Sequence, residues 1–208
     1  MNNDECQWVA LPYFLFIGKQ LKYQDALIYI AIRSFLNVGT GDCFPTYEKI
    51  ALKAGVSRNF LVNSIKRLKG NGMLDYTTSK ASRNRNNSNR YSIEKIDAFD
   101  QIPLSFFDLK DLSYPEKSML LCIRQFFVHG WLTTMYTMKQ MSHFIGISYK
   151  TLYSQFIKLI DKGYVQKVVK GKKHKIAFYE LTDRVDWITG QTRPSGITSD
   201  FKFSLKVG

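Results

Sequence analysis

The sequence is short of cysteine, of long apolar runs and of acidic side chains, and each shortage removes a class of protein. Only three cysteines occur, Cys6, Cys43 and Cys122. Their odd number, wide spacing and lack of a C-x-x-C pair exclude a disulfide framework and a zinc site, and suit a reducing compartment. No apolar run is long enough to span a bilayer. The segment YFLFIG (13–18) follows a polar start without the basic n-region of a signal peptide. The chain therefore reads as soluble and cytoplasmic. It also lacks a G-x-x-x-x-G-K-[ST] phosphate loop and the paired histidines with which a rolling-circle nuclease holds its metal. Its histidines, His129, His143 and His174, are far apart. No catalytic constellation can be assembled, so the expectation is a protein that is not an enzyme and needs no cofactor or metal.

What is abundant is positive charge. Thirty Lys and Arg face seventeen Asp and Glu, a net charge of +13. An excess of that size points to a polyanionic partner. Hydrophobic residues make up 45% and aromatic residues 14% of the 208 positions, enough for one large domain or for two cores of about 100 residues each.

An internal repeat decides between these. PYFLFIGKQLKYQDALIYIAIR (12–33) aligns with PLSFFDLKDLSYPEKSMLLCIR (103–124) at an offset of 91 residues. The same offset carries on without a gap. Thr46, Gly55, Ser57, Leu61, Leu68 and Gly72 recur as Thr137, Gly146, Ser148, Leu152, Leu159 and Gly163. The chain reads as a duplicated unit, with copies at 8–98 and 99–182 and a tail at 183–208. The boundary is expected around 96–101. The Gly, Pro, Ser and Thr of GQTRPSGITSD (190–200) read as loop.

Within the first copy, DALIYIAIRSF has helical spacing. Thr46 is placed to cap a second helix that Gly55 ends in a left-handed conformation. Ser57 caps a third helix whose Leu61, Ile65 and Leu68 line one face. Two helices joined by such a turn make a helix-turn-helix. Strand-like residues after GNGML, the polar run KASRNRNNSNR (80–90) and RYSIEKI then form a hairpin, and the second copy answers with KGYVQKVV, KGKKHK and IAFYELT. The expected fold class is α+β, two tandem winged helix-turn-helix domains. FPTYEKIALKAGVSRNFLVNSIKRLKGNGML (44–74) resembles the winged-helix modules of phage and plasmid proteins, and the preceding segment resembles the start of some plasmid replication initiators. Copy two departs from the pattern, with Tyr136 for Pro45, Ser142 for Ala51 and Tyr149 for Arg58.

The resemblance implies double-stranded DNA as partner. With the apolar face inward, the third helix presents Ser57, Arg58, Asn59, Asn63, Lys66 and Arg67. Arg58, Asn59 and Asn63 are of the types that pair bidentately with guanine or adenine edges, while Lys66 and Arg67 suit phosphate. The equivalent helix presents Ser148, Tyr149, Lys150, Tyr153, Ser154 and Lys158, whose tyrosines can reach phosphates or thymine methyl groups. Different side chains predict non-identical half-sites, about one helical turn apart, within a footprint of about 20 base pairs. The wings offer Lys80, Arg83, Arg85 and Arg90 in the first copy and Lys167, Lys170, Lys172, Lys173, His174 and Lys175 in the second. The competing reading of both faces is an ordinary solvated basic surface.

Asp97, Asp100, Asp108, Asp111 and Glu116 read as helix-start and surface charges rather than a metal site. Cys122, in the place of Ala31, reads as a small core residue, and His143 as packed or half-buried. The functional expectation is a transcriptional regulator or replication initiator of a phage, plasmid or other mobile element in a bacterial host cell, with replication or transcription machinery as further partners and no membrane. The alternatives are a winged-helix adaptor for an acidic protein and a nuclease or relaxase.

Overall fold

The structure, a computed structural model, describes residues 8–13, 15–16, 19–78, 89–127, 133–134, 136–170 and 176–188. Its first strand, β1 (Trp8–Pro12), leads to helices α1 (Asp25–Arg33), α2 (Tyr47–Ala54) and α3 (Arg58–Gly70), and then to the hairpin β2 (Asp75–Thr78) and β3 (Asn89–Ser92). Strand β4 (Phe99–Pro103), a 3-10 turn at Leu104–Asp108, and helix α4 (Tyr114–Arg124) follow. The chain continues through β5 (Thr133–Thr134), α5 (Met138–Ile145), α6 (Tyr149–Asp161), β6 (Val165–Lys170) and β7 (Ile176–Leu181). The mixture of helices with small antiparallel sheets is α+β. Among the described residues no helix is long and apolar enough to cross a membrane.

Local chemistry accounts for the helix ends. The Thr46 hydroxyl accepts from the Lys49 amide at 3.3 Å, and the Ser57 hydroxyl from that of Phe60 at 3.3 Å, satisfying amides that have no intrahelical acceptor. Between them Gly55 adopts φ 66°, where an L side chain would crowd the following carbonyl. Its amide and that of Val56 close back onto Leu52 and Ala51. At the counterpart positions 91 residues on, Thr137 accepts from Gln140, Gly146 lies at φ 73°, and Ser148 accepts from Thr151.

Helix α1 is buried from Asp25 to Ile32, as a helix that is apolar all round must be. It packs against α2, α3, β1 and α4. Its counterpart α4 packs against both α1 and α6. The largest departure from the sequence reading lies at the centre: residues 99–101, expected as part of a boundary, belong to β4, which pairs antiparallel with β1. Asp100, expected at the surface, is buried there, 3.6 Å from the equally buried guanidinium of Arg124. The indole of Trp187 lies 5.3 Å from that guanidinium and packs at a tilt against Phe106, with centroids 6.0 Å apart. The segment after 182, expected as a tail, thus begins with residues that close the core, Val185 and Trp187. Strand β3 ends at Ser92, shorter than RYSIEKI suggests.

Candidate nucleic-acid interface

Helix α3 buries Leu61, Ser64, Ile65 and Leu68 and turns Arg58, Asn59, Asn63 and Lys66 to solvent. Its stripe of core contacts is what aims those four side chains outward together. Arg58 is already engaged: its guanidinium pairs with Glu48 of α2 and lies over the ring of Tyr47 at 5.3 Å. A base contact by Arg58 requires it to leave an exposed carboxylate, an exchange that costs little because exposed pairs are weak.

Arg67 is a correction. Expected at phosphate, it reaches inward instead, donating through Nε at 2.8 Å and a terminal nitrogen at 2.7 Å to both oxygens of Asp25. Asp25 is fully buried, and also accepts from the Ser64 hydroxyl at 2.6 Å and the Lys22 amide at 2.8 Å. A buried carboxylate needs such a set of donors, so Arg67 fixes α3 on α1. Sequence reasoning missed Asp25 because an acidic residue opening a helix is ordinary; its burial depends on α3 crossing α1.

Ser57 and Ser148, expected at DNA, are exposed N-caps. On α6, Leu152, Phe156 and Leu159 are buried while Tyr149, Lys150, Tyr153, Ser154 and Lys158 are exposed. Tyr149 and Tyr153 stack with centroids 6.0 Å apart and planes at 20°, each about half exposed at 48% and 47%. Tyr179 of β7 stands behind them, its ring edge-on to Phe156 at 4.8 Å. Burial raises its phenol above the ordinary value, and the neighbouring Tyr149 and Tyr153 add to the effect.

Glu116, at the counterpart position of Asp25, plays the same part in α4. It accepts from the Ser113 amide at 2.7 Å and from Lys162, just past α6, at 2.8 Å. Burial opposes its ionisation, but the bonds from Lys162 and Ser113 prevail and hold the carboxyl down at about 2. The cation that ties α3 to α1 lies within α3, and the one that ties α6 to α4 lies just past α6.

On the first hairpin, exposed Arg90 pairs with Asp42 at 3.1 Å and lies over Phe44 at 5.3 Å. Lys167 is exposed on β6, and Lys170 ends that strand. Lys80, Arg83, Arg85, Lys172, Lys173, His174 and Lys175 lie outside the described residues. His143, expected packed or half-buried, is exposed. The Cys122 thiol is buried and donates to the Tyr23 carbonyl. Among the described residues no group of His, Cys, Asp or Glu could hold a metal ion.

Residues 19–74, which span α1 to the end of the α3 turn, match a protein-family model described as a helix-turn-helix domain. No curated protein matches the chain. The match covers the exposed face of α3, and supports DNA as a partner of this module.

Proposed function

We propose that the protein is a sequence-specific binder of double-stranded DNA built as two tandem winged helix-turn-helix units, 8–98 and 99–182, with α3 and α6 entering successive major grooves. The observation that carries this reading is the outward face of α3, where Arg58, Asn59, Asn63 and Lys66 stand exposed inside the family-matched module. Asparagine and arginine read adenine and guanine edges, and a net charge of +13 supplies the attraction to phosphate. Support for the second unit comes from shared terminators and ties: Thr137, Gly146, Ser148 and Glu116 do for α5, α6 and α4 what Thr46, Gly55, Ser57 and Asp25 do for α2, α3 and α1.

The protein acts, on this reading, in a bacterial cytoplasm as a regulator or replication initiator of a mobile element, without catalysis or cofactor. Gel-shift titration over a range of salt tests DNA binding: retention of duplex at low salt that falls steeply as salt rises is expected, and no retention at any salt refutes it. Mapping bound sites in the host genome separates the two roles, through clusters at an origin or overlap with promoters. The exposed Tyr149 and Tyr153 stack favours one competing reading, an adaptor whose α6 meets an acidic protein. Binding of duplex that survives Tyr153→Ala unchanged would favour it for that helix.

A further inference from the structure

The pairing of β1 with β4 has an unusual register. Trp8 faces Pro103 and Pro12 faces Phe99; Val9 faces Ile102 and Leu11 faces Asp100; at the centre Ala10 faces Gln101. Under the 91-residue offset, Trp8 corresponds to Phe99, Pro12 to Pro103 and Ala10 to Gln101. Each strand thus pairs with its own counterpart, and the central residue faces its own counterpart. Only a local two-fold axis through that point, perpendicular to the strand pair, gives this register; a translation along the chain does not. Two further contacts join counterparts across that axis. Trp8 stacks on its counterpart Phe99, with centroids 5.6 Å apart and planes at 16°. Helix α1 packs against its counterpart α4.

The ties from this centre outward are matched on both sides. Asp25 holds α3 through Arg67, and Glu116 holds α6 through Lys162. Gln20 donates to the Asn71 side chain, and their counterparts Asp111 and Lys162 meet in the same place, with the Lys162 ammonium on the Asp111 carbonyl. Helix α3 packs on α1 as α6 packs on α4, the arrangement that a half-turn between the two pairs gives.

We infer that one chain reads an inverted, imperfect repeat, whose centre lies over the Ala10 and Gln101 pair. This rests on the DNA-binding reading above and goes beyond it by setting the orientation of the two half-sites. The symmetry of a DNA site mirrors that of the protein that docks on it, and a two-fold axis between two reading helices makes them read opposite strands. The halves differ in sequence because the reading side chains differ: Arg58, Asn59 and Asn63 in α3 stand where α6 has Tyr149, Lys150 and Ser154. The site is thus inverted in direction and unequal in content. A single chain supplies both halves, as a symmetric dimer does elsewhere.

The test takes the full chain and a sequence selected from a random duplex pool. Its two halves, identified by the positions at which Asn63→Ala and Tyr153→Ala each relax preference, are rebuilt in inverted order, in direct order with one half reversed, and as a single half in neutral flanks. Affinity is read by fluorescence anisotropy and stoichiometry by native mass spectrometry. The inverted duplex is expected to bind more than about tenfold tighter than the other two, since reversing a half mismatches several base pairs at once, with one chain per duplex. Equal or tighter binding of the direct arrangement, or a requirement for two chains, overturns the inference while leaving DNA binding intact. Failure to enrich or retain any duplex overturns the DNA reading and this inference with it.

Discussion

Arg67 and Lys158 occupy counterpart positions 91 residues apart, yet their surroundings assign them different work. Arg67 neutralises buried Asp25, whereas Lys158 is exposed on α6. Arg67→Ala is expected to lower the unfolding free energy by about 3 kcal/mol, because it strands a buried carboxylate. The slope of binding against salt should not change. Lys158→Ala is expected to do the reverse, leaving stability intact in a urea titration while reducing that slope by about 1. Asn63→Ala should cost about 1–3 kcal/mol of binding and relax preference at one base pair, with no change in melting temperature. Asn63 was legible in the sequence because helical spacing from Leu61 and Ile65 puts it outside. Arg67 was not, because an arginine stem can reach a buried partner from the edge of the same face.

Helices α3 and α6 each follow a glycine turn and are each tied by a carboxylate. A Cβ placed on Gly55 or Gly146 meets nothing within 4 Å, so the cost of Gly55→Ala or Gly146→Ala is conformational alone. It is expected at about 1–2 kcal/mol in denaturant unfolding, with Asn in place of Ala costing less. The tie between α4 and α6 is sensitive to acid. Glu116 is held down at about 2 in the folded protein, against about 4.3 in an unfolded chain. A group with a depressed folded value stabilises above its unfolded value, and that stabilisation is lost as pH falls toward the folded one. Glu116→Gln is therefore expected to be less stable than the parent at pH 7, with the difference shrinking between about pH 5 and pH 2. Urea titrations across that range check it. The helices and their caps were legible because Thr, Ser and Gly act on amides within three or four residues. The shortness of β3 and the pairing of β1 with β4 were not.

At the scale of the molecule, α1 has no solvent face. It is buried from Asp25 to Ile32 between α2, α3, β1 and α4, so residues 13–98 produced alone would expose the side that α4 covers. That fragment is expected to associate or to unfold at lower denaturant than the full chain, seen by ultracentrifugation and circular dichroism. Asn89 and Arg90, the last residues of the polar run 80–90, open β3. Strands β1 and β4 pair with Trp8 stacked on Phe99, and α1 packs on α4.

The positive charge, the helix caps and the outward face of α3 were already legible in the amino-acid sequence. All of these depend on composition or on neighbours within a turn or two of helix. Which charged residues face inward, as Asp25, Asp100 and Arg124 do, and the antiparallel pairing of β1 with β4 come from the tertiary structure. A repeat in sequence is silent about whether its copies are related by translation or by rotation. That choice is made by long-range pairing of edge strands and by the apolar faces that only a second layer can cover.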